Sequence, residues 1–199
     1  MVVTEEEPED LKLAYCLYGL QQATLRFDQA HWHRNEDAFV SVAEAVSWAV
    51  ALDAVLEDAT HAGRDGREYK RVRGSCDDGK TVIGMKFVRN HVHHAAEMLS
   101  WVYVNALVGN SAHGLRNFWL WTDLDNLDPK PSDQFTSGRG LYASRIGGHS
   151  VLDTLLDANR FFLSLVPALP PLPPSEVGEV RVPFILPERW PPIDNDRRA

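Results

Sequence analysis

A chain of 199 residues, 44% hydrophobic and 24% charged, has material for one domain with a core and not for two. Its net charge of −8 is opposite in sign to that of proteins that coat nucleic acid, so contact with RNA would need a local basic patch. Two cysteines, Cys16 and Cys76, are too few for a disulfide framework and are expected to be reduced.

The acidic start, Met1 to Asp10, lacks the basic-then-apolar order of a signal peptide. No apolar run approaches the roughly 20 residues that span a bilayer. A cytoplasmic protein with no membrane role is the expectation. Residues 1–8 read as a short acidic tail, 9–166 as a single helical domain, and 167–199 as a proline-rich extended tail.

A first helix is expected from about Glu9 to His31, on the spacing of Leu11, Ala14, Tyr15, Tyr18, Leu25 and Phe27. Asn35 then reads as an N-cap, with Glu36 and Asp37 in the first turn of a second helix. That helix, Ala38 to Ala59, is apolar at 39, 42, 43, 46, 50, 54 and 55, and Gly63 and Gly66 follow its end. Residues 64–80 read as a basic connector and turn, with Arg67, Lys70, Arg71 and Arg73 as candidate phosphate contacts, since a guanidinium fork matches phosphate oxygens.

The stripe Met85, Val88, Val92, Ala95, Leu99, Val102 and Ala106 predicts a long helix from Thr81 to Leu107, stopped by Gly109 and Asn110. Residues 110–148 are mixed. Phe118-Trp-Leu-Trp-Thr122 reads as a strand, an ordered loop or a core lid, and Asp123 to Gly148 as irregular. A last helix runs from Ser150 to Leu165, and Pro167, Pro170, Pro171, Pro173 and Pro174 end it. The tail keeps Phe184, Ile185, Leu186 and Trp190, which could pack back on the body or on a partner. The whole reads as an all-α bundle of four or more helices, with an irregular, Trp-rich insertion and a proline-rich tail.

The chemistry concentrates in Arg89-Asn-His-Val-His-His94. On a continuous helix, Val88, Val92, Ala95 and Leu99 share one arc, while Arg89, Asn90, His93, His94 and Glu97 lie on the other side. Asn90 and His94, four apart, would then be neighbours. Arg89 keeps its charge and can grip phosphate oxygens. A histidine has a reference pKa of about 6.5, suited to proton transfer at neutral pH. The Asn90 amide can orient either partner. RNA brings its own nucleophile, the 2′-hydroxyl, so a proton carrier and a phosphate clamp suffice for cleavage without a metal.

Arg89-Asn90-x-x-x-His94 resembles the Arg-x(4–6)-His signature of the HEPN superfamily in its Arg-Asn-x-x-x-His form. The resemblance implies a compact helical domain and a metal-independent endoribonuclease of the kind found in toxin–antitoxin, CRISPR-associated and antiphage systems. It implies two copies of the motif facing each other across a homodimer. Arg89, Asn90 and His94 would be catalytic, with His93 and Glu97 supporting, RNA as substrate and no cofactor. An antitoxin or other protein partner is also implied. One departure is Ala96, where some toxin members carry a tyrosine that an antitoxin modifies.

Fifteen arginines and eight histidines in 199 residues give roughly 0.6 chance occurrences of Arg-x4-His, and Arg26 to His31 is read as such an accident. Requiring Asn after the Arg lowers the expectation to roughly 0.02. His31, His33, His91, His93 and His94 raise zinc as a competing reading, but there is no His-Glu-x-x-His spacing and no Cys pair, so no metal site is assigned. The alternative function is a non-catalytic HEPN-like dimer or interaction module, because fold does not fix activity.

Overall fold

The computed structural model describes residues 9–30, 36–58, 66–91, 98–108, 112–127 and 138–165, of which 9–11, 102–108 and 112–118 by backbone alone. Within these, six helices and two strands follow in order: α1 (Glu9–Ala30), α2 (Glu36–Glu57), α3 (Gly66–Ser75), α4 (Asp77–Asn90), β1 (Leu99–Val108), β2 (Ala112–Trp121), α5 (Arg139–Arg145) and α6 (Val151–Leu165). The fold is mostly helical, as expected, and α1, α2 and α6 fall where the apolar periodicity put them. The Asn35 cap, Gly63, both tails and the residues joining the strands lie outside the described residues.

α1 and α2 form an antiparallel hairpin. Trp48 lies on Gly19, where a Cβ would come within 2.6 Å of the indole, and further along Arg26 pairs with Glu44. Their facing residues Leu13, Leu17, Leu20, Ala23, Phe27, Val42, Ala45, Val46, Ala49 and Leu52 are buried in one core. α6 closes this core with Leu155, Ala158, Phe161 and Phe162. Its buried Asn159 donates from Nδ2 to Thr24 Oγ1 on α1 at 2.9 Å, satisfying a polar contact inside the apolar layer.

By length and composition α2 alone among the described helices could cross a membrane. It also carries Asp53, fully buried, and gives one face to the protein core.

Three expectations are overturned. Residues 66–75 are a helix, not a connector: Gly66, Tyr69 and Arg73 share its buried face at spacings of three and four. The helix expected from Thr81 to Leu107 starts earlier, at Asp77, and ends at Asn90, where the His91 N–H turns back to the Val88 carbonyl. From Leu99 the chain is extended, and β1 pairs antiparallel with β2 over ten consecutive residues, Leu99 opposite Trp121 and Val108 opposite Ala112. Within the stretch read as irregular, residues 139–145 form α5.

α4 packs against α2, α3, α5 and α6. Its first-turn acids suit the positive end of the helix dipole, and Asp77 meets Arg145 of α5 while Asp78 meets Arg160 of α6. Thr81, Val82, Met85, Phe87 and Val88 are buried. Gly84 lets α5 approach, with Ile146 and the backbone at Leu141–Tyr142 where a side chain would be.

α5 starts at Gly138, which has φ +79°, and a Cβ there would sit 2.5 Å from the Ile83 carbonyl oxygen. Gly138→Ala is therefore expected to cost about 1–3 kcal/mol through left-handed strain and displacement of α5 from α4. Urea unfolding checks this, and an unchanged midpoint would show that the junction relaxes freely.

Candidate active site

The candidate site grows from the exposed end of α4. Arg89 and Asn90 occupy its last two positions and are exposed. Arg89 makes no side-chain hydrogen bond or ion pair with another described residue, whereas Arg26, Arg73, Arg145 and Arg160 are each paired with an acid. Its cation sits at the negative end of the helix dipole, which favours it there. His93, His94 and Glu97 lie outside the described residues.

His91 is not part of the exposed group. It is buried, its Nδ1–H donates to the Phe87 carbonyl at 2.7 Å, and its ring packs 4.2 Å from that of Phe87. Of the other histidines weighed for zinc, His31 and His33 lie outside the described residues.

One turn back from Arg89 and Asn90, on the same side of α4, Lys86 enters a cluster of charges that joins three helices. Asp53 of α2 is its centre. The Tyr69 hydroxyl and Arg73 Nη1 from α3 both donate to Asp53, the latter reaching Oδ2 at 2.6 Å. Lys86 Nζ lies 2.6 Å from Asp53 Oδ2 and 2.8 Å from Glu57 Oε2. Arg73 also reaches Glu57 at 3.3 Å, and Lys70 Nζ meets the other Glu57 oxygen at 3.3 Å. The Arg73 guanidinium stands 5.3 Å from the Tyr69 ring centroid, a cation–π contact.

Protonation follows from these contacts. The Lys86 hydrogen bond pulls the Glu57 carboxyl down to about 2, against burial, with Arg73 adding to the effect. Burial pulls the Lys86 and Arg73 cations down, but their bonds to Asp53 and Glu57 outweigh it and both pKa values are raised. Burial, then the Asp53 charge, pushes the Tyr69 phenol above its ordinary range, so it remains a donor.

Because the Glu57 pKa is depressed from 4.5 to about 2 on folding, its contribution is complete above about 4.5 and is lost as pH falls through about 2. Urea midpoints are expected to drop across that window in the wild type and less steeply in Glu57→Gln. Identical acid limbs would remove Glu57 from the account.

The four candidate phosphate contacts divide. Arg67, Lys70 and Arg71 share the exposed face of α3, where Arg71 meets Glu68 at 3.2 Å. Arg73 faces the opposite way, is 9% exposed, and is held by Asp53, so it is not presented to a ligand. Lys70 and Lys86 flank one carboxylate, Glu57, and Lys86 precedes Arg89 by one turn. Cations thus follow one another from α3 to the end of α4, with Glu57 and Glu68 paired among them, on a chain whose net charge is −8.

The sequence reading missed Asp53, Glu57, Tyr69 and Lys86. The available signal was Asp53 itself, an acid inside the apolar run Val50 to Leu56, which requires a buried partner. Cys16 and Cys76 are free thiols, partly buried, and burial pushes the Cys16 thiol up, away from reactivity. No protein-family model, curated protein or solved structure matches the chain.

Proposed function

We propose that the protein is a metal-independent endoribonuclease of HEPN type, cytoplasmic, acting as a homodimer in a toxin or phage-defence setting with an antitoxin or other protein partner. The observation that carries the reading is Arg89, exposed and without an acidic partner among the described residues, at the end of a helix anchored by α2, α5 and α6, one turn from Lys86. A cation held on a rigid element but left unpaired is suited to meet an anion that arrives from solution. Arg67, Lys70 and Arg71 give that anion, an RNA backbone, a path across a surface of otherwise repelling charge.

In the proposed reaction the 2′-oxygen bonds to the adjacent phosphorus and the bond from phosphorus to the 5′-oxygen breaks. His94 takes the 2′ proton or delivers one to the departing 5′-oxygen. Arg89 holds the charge that builds on the phosphoryl oxygens, and Asn90 keeps histidine and phosphate in register. The products are a 2′,3′-cyclic phosphate and a 5′-hydroxyl. His93 and Glu97 would support His94.

The reading is tested with paired oligonucleotides: RNA, the same RNA methylated on the 2′-oxygen at the cut, and DNA. Only the first should be cut, because only it carries the nucleophile. Cleavage of all three would point to a different nuclease chemistry.

A second reading, a non-catalytic HEPN-like dimer or interaction module, is favoured by one observation. α4 ends at Asn90, so the four-residue spacing from Asn90 to His94 is not fixed by an α-helix.

A further inference from the structure

Glu57, the last residue of α2, holds its carboxylate among three cations. Its Oε1 meets Lys70 Nζ of α3 at 3.3 Å, and its Oε2 meets Lys86 Nζ of α4 at 2.8 Å and Arg73 Nη1 of α3 at 3.3 Å. Helix α2 itself does not favour a carboxylate there. The C-terminal end of a helix is its negative pole, and the last turn of α2 holds no base. The cations of α3 and α4 supply what α2 lacks, and they hold the carboxyl well below its ordinary range. The place that Glu57 fills is therefore one that favours an anion.

The inner charges do not depend on this carboxylate. Asp53 receives Tyr69, Arg73 and Lys86 by itself. Lys70 differs: among the described residues it pairs with Glu57 alone, and its side chain is 52% exposed. Lys70, Arg73 and Lys86 thus stand against Asp53 and Glu57, and cations remain in excess. With Glu57 turned aside that excess grows by one charge. Glu57 is also placed to turn aside, because it lies at a helix end and its side chain is partly open to water.

We propose that Lys70 and Lys86 form a seat for a backbone phosphate of RNA, and that Glu57 is its internal occupant, a carboxylate that the phosphate displaces. Lysines placed on opposite oxygens of one carboxylate can hold two oxygens of one phosphate through charge-assisted hydrogen bonds. Arg73 stays on Asp53 and adds its charge from behind. Lys86 precedes Arg89 by three residues, about 4.5 Å of helix rise, so the seat adjoins the end of α4 where Arg89 stands. Glu57 makes the seat selective for a strand. A single anion must replace a carboxylate already in place, whereas a strand held at several phosphates is presented to the seat at high effective concentration. The inference rests on the preceding reading for its ligand, and its test reads binding rather than cleavage, so the two can fail separately.

The test measures binding of a single-stranded, fully 2′-O-methylated RNA to the full chain over a range of salt at neutral pH. That RNA keeps the phosphates and lacks the nucleophile. Glu57→Gln keeps an oxygen for Lys86 to bond. It is expected to bind on the order of tenfold more tightly than wild type at low salt, the effect of removing one nearby charge. Its plot of log affinity against log salt should be steeper by about 0.7, one more phosphate contact. Adding Lys70→Gln to Glu57→Gln should abolish both gains. Asp37→Asn changes net charge equally at the far end of α2 and should leave affinity and slope as in wild type. Lys70→Gln alone, at a half-exposed side chain, should weaken binding and flatten the slope, which tests the seat even where Glu57→Gln does not fold. Wild-type affinity and slope in Glu57→Gln, gains that survive Lys70→Gln, equal gains from Asp37→Asn, or unchanged binding in Lys70→Gln each overturn the proposal. Tighter binding by Glu57→Gln to RNA that neither protein cuts in its unmethylated form would leave the seat standing and remove the nuclease.

Discussion

Asp53→Ala is expected to destabilise the protein by about 3–5 kcal/mol, the cost of breaking a buried ion pair by removing one partner. Asp53 is fully buried and receives Tyr69, Arg73 and Lys86 at once. Without it Arg73, 9% exposed, keeps a charge with Glu57 alone to balance it, and the Tyr69 hydroxyl loses its acceptor inside the core. A domain this size has a total stability of about 5–15 kcal/mol, so the variant should unfold at much lower urea. Tyr69→Phe, which removes one neutral donor, should cost about 1 kcal/mol. Replacing Asp53, Arg73 and Lys86 together by apolar residues of similar volume should recover much of the loss, because the burial of charge disappears along with the pairing. Urea titration of the three variants decides it. A loss below about 1 kcal/mol for Asp53→Ala would mean that Arg73 and Lys86 reach water when their partner is gone.

His94→Ala is expected to slow RNA cleavage by roughly 10²–10⁴-fold, the range for a general acid–base group. Arg89→Ala should also lose cleavage while RNA binding persists, because its contact strengthens as charge builds in the transition state. The two kinds of site differ in their stability signature. Arg89 is exposed and has no partner among the described residues, so its removal should leave the urea midpoint within about 0.5 kcal/mol of wild type. Lys86→Ala, one turn away, should lower stability because it leaves Asp53 and Glu57 short of a cation. Equal loss of stability in Arg89→Ala and Lys86→Ala would indicate that Arg89 belongs to the structural cluster.

Periodicity carried the helices that bury one clear face. α2 shows its acidic first turn and apolar stripe directly, and α6 is bounded by the prolines that follow it. It failed where a helical spacing and a strand coincide. Leu99, Val102 and Ala106 continue the stripe of α4 at three and four, yet Trp101, Val102, Tyr103 and Val104 are all residues that favour strands. Pairing with Arg116 to Trp119 decided in favour of the strand, and such long-range pairing is invisible to a local window.

The same blindness hid the charge cluster. Arg73 reads as one more base in a solvated run until the fold brings Asp53, twenty residues earlier, against it. The exposure of Arg89 and Asn90 was legible because both fall opposite the apolar stripe of α4. The relation of Asn90 to His94 was not, since it assumed a helix that stops at Asn90.

The central claim is cleavage of RNA by this chain's own residues, and one measurement reaches it most directly: purified wild type and His94→Ala incubated with mixed RNA in EDTA, with the product ends determined. The account requires that wild type cut, leaving 2′,3′-cyclic phosphate and 5′-hydroxyl ends, and that His94→Ala leave the RNA intact. Intact RNA with wild type, equal cutting by both proteins, or wild-type cutting that appears only without EDTA would contradict it.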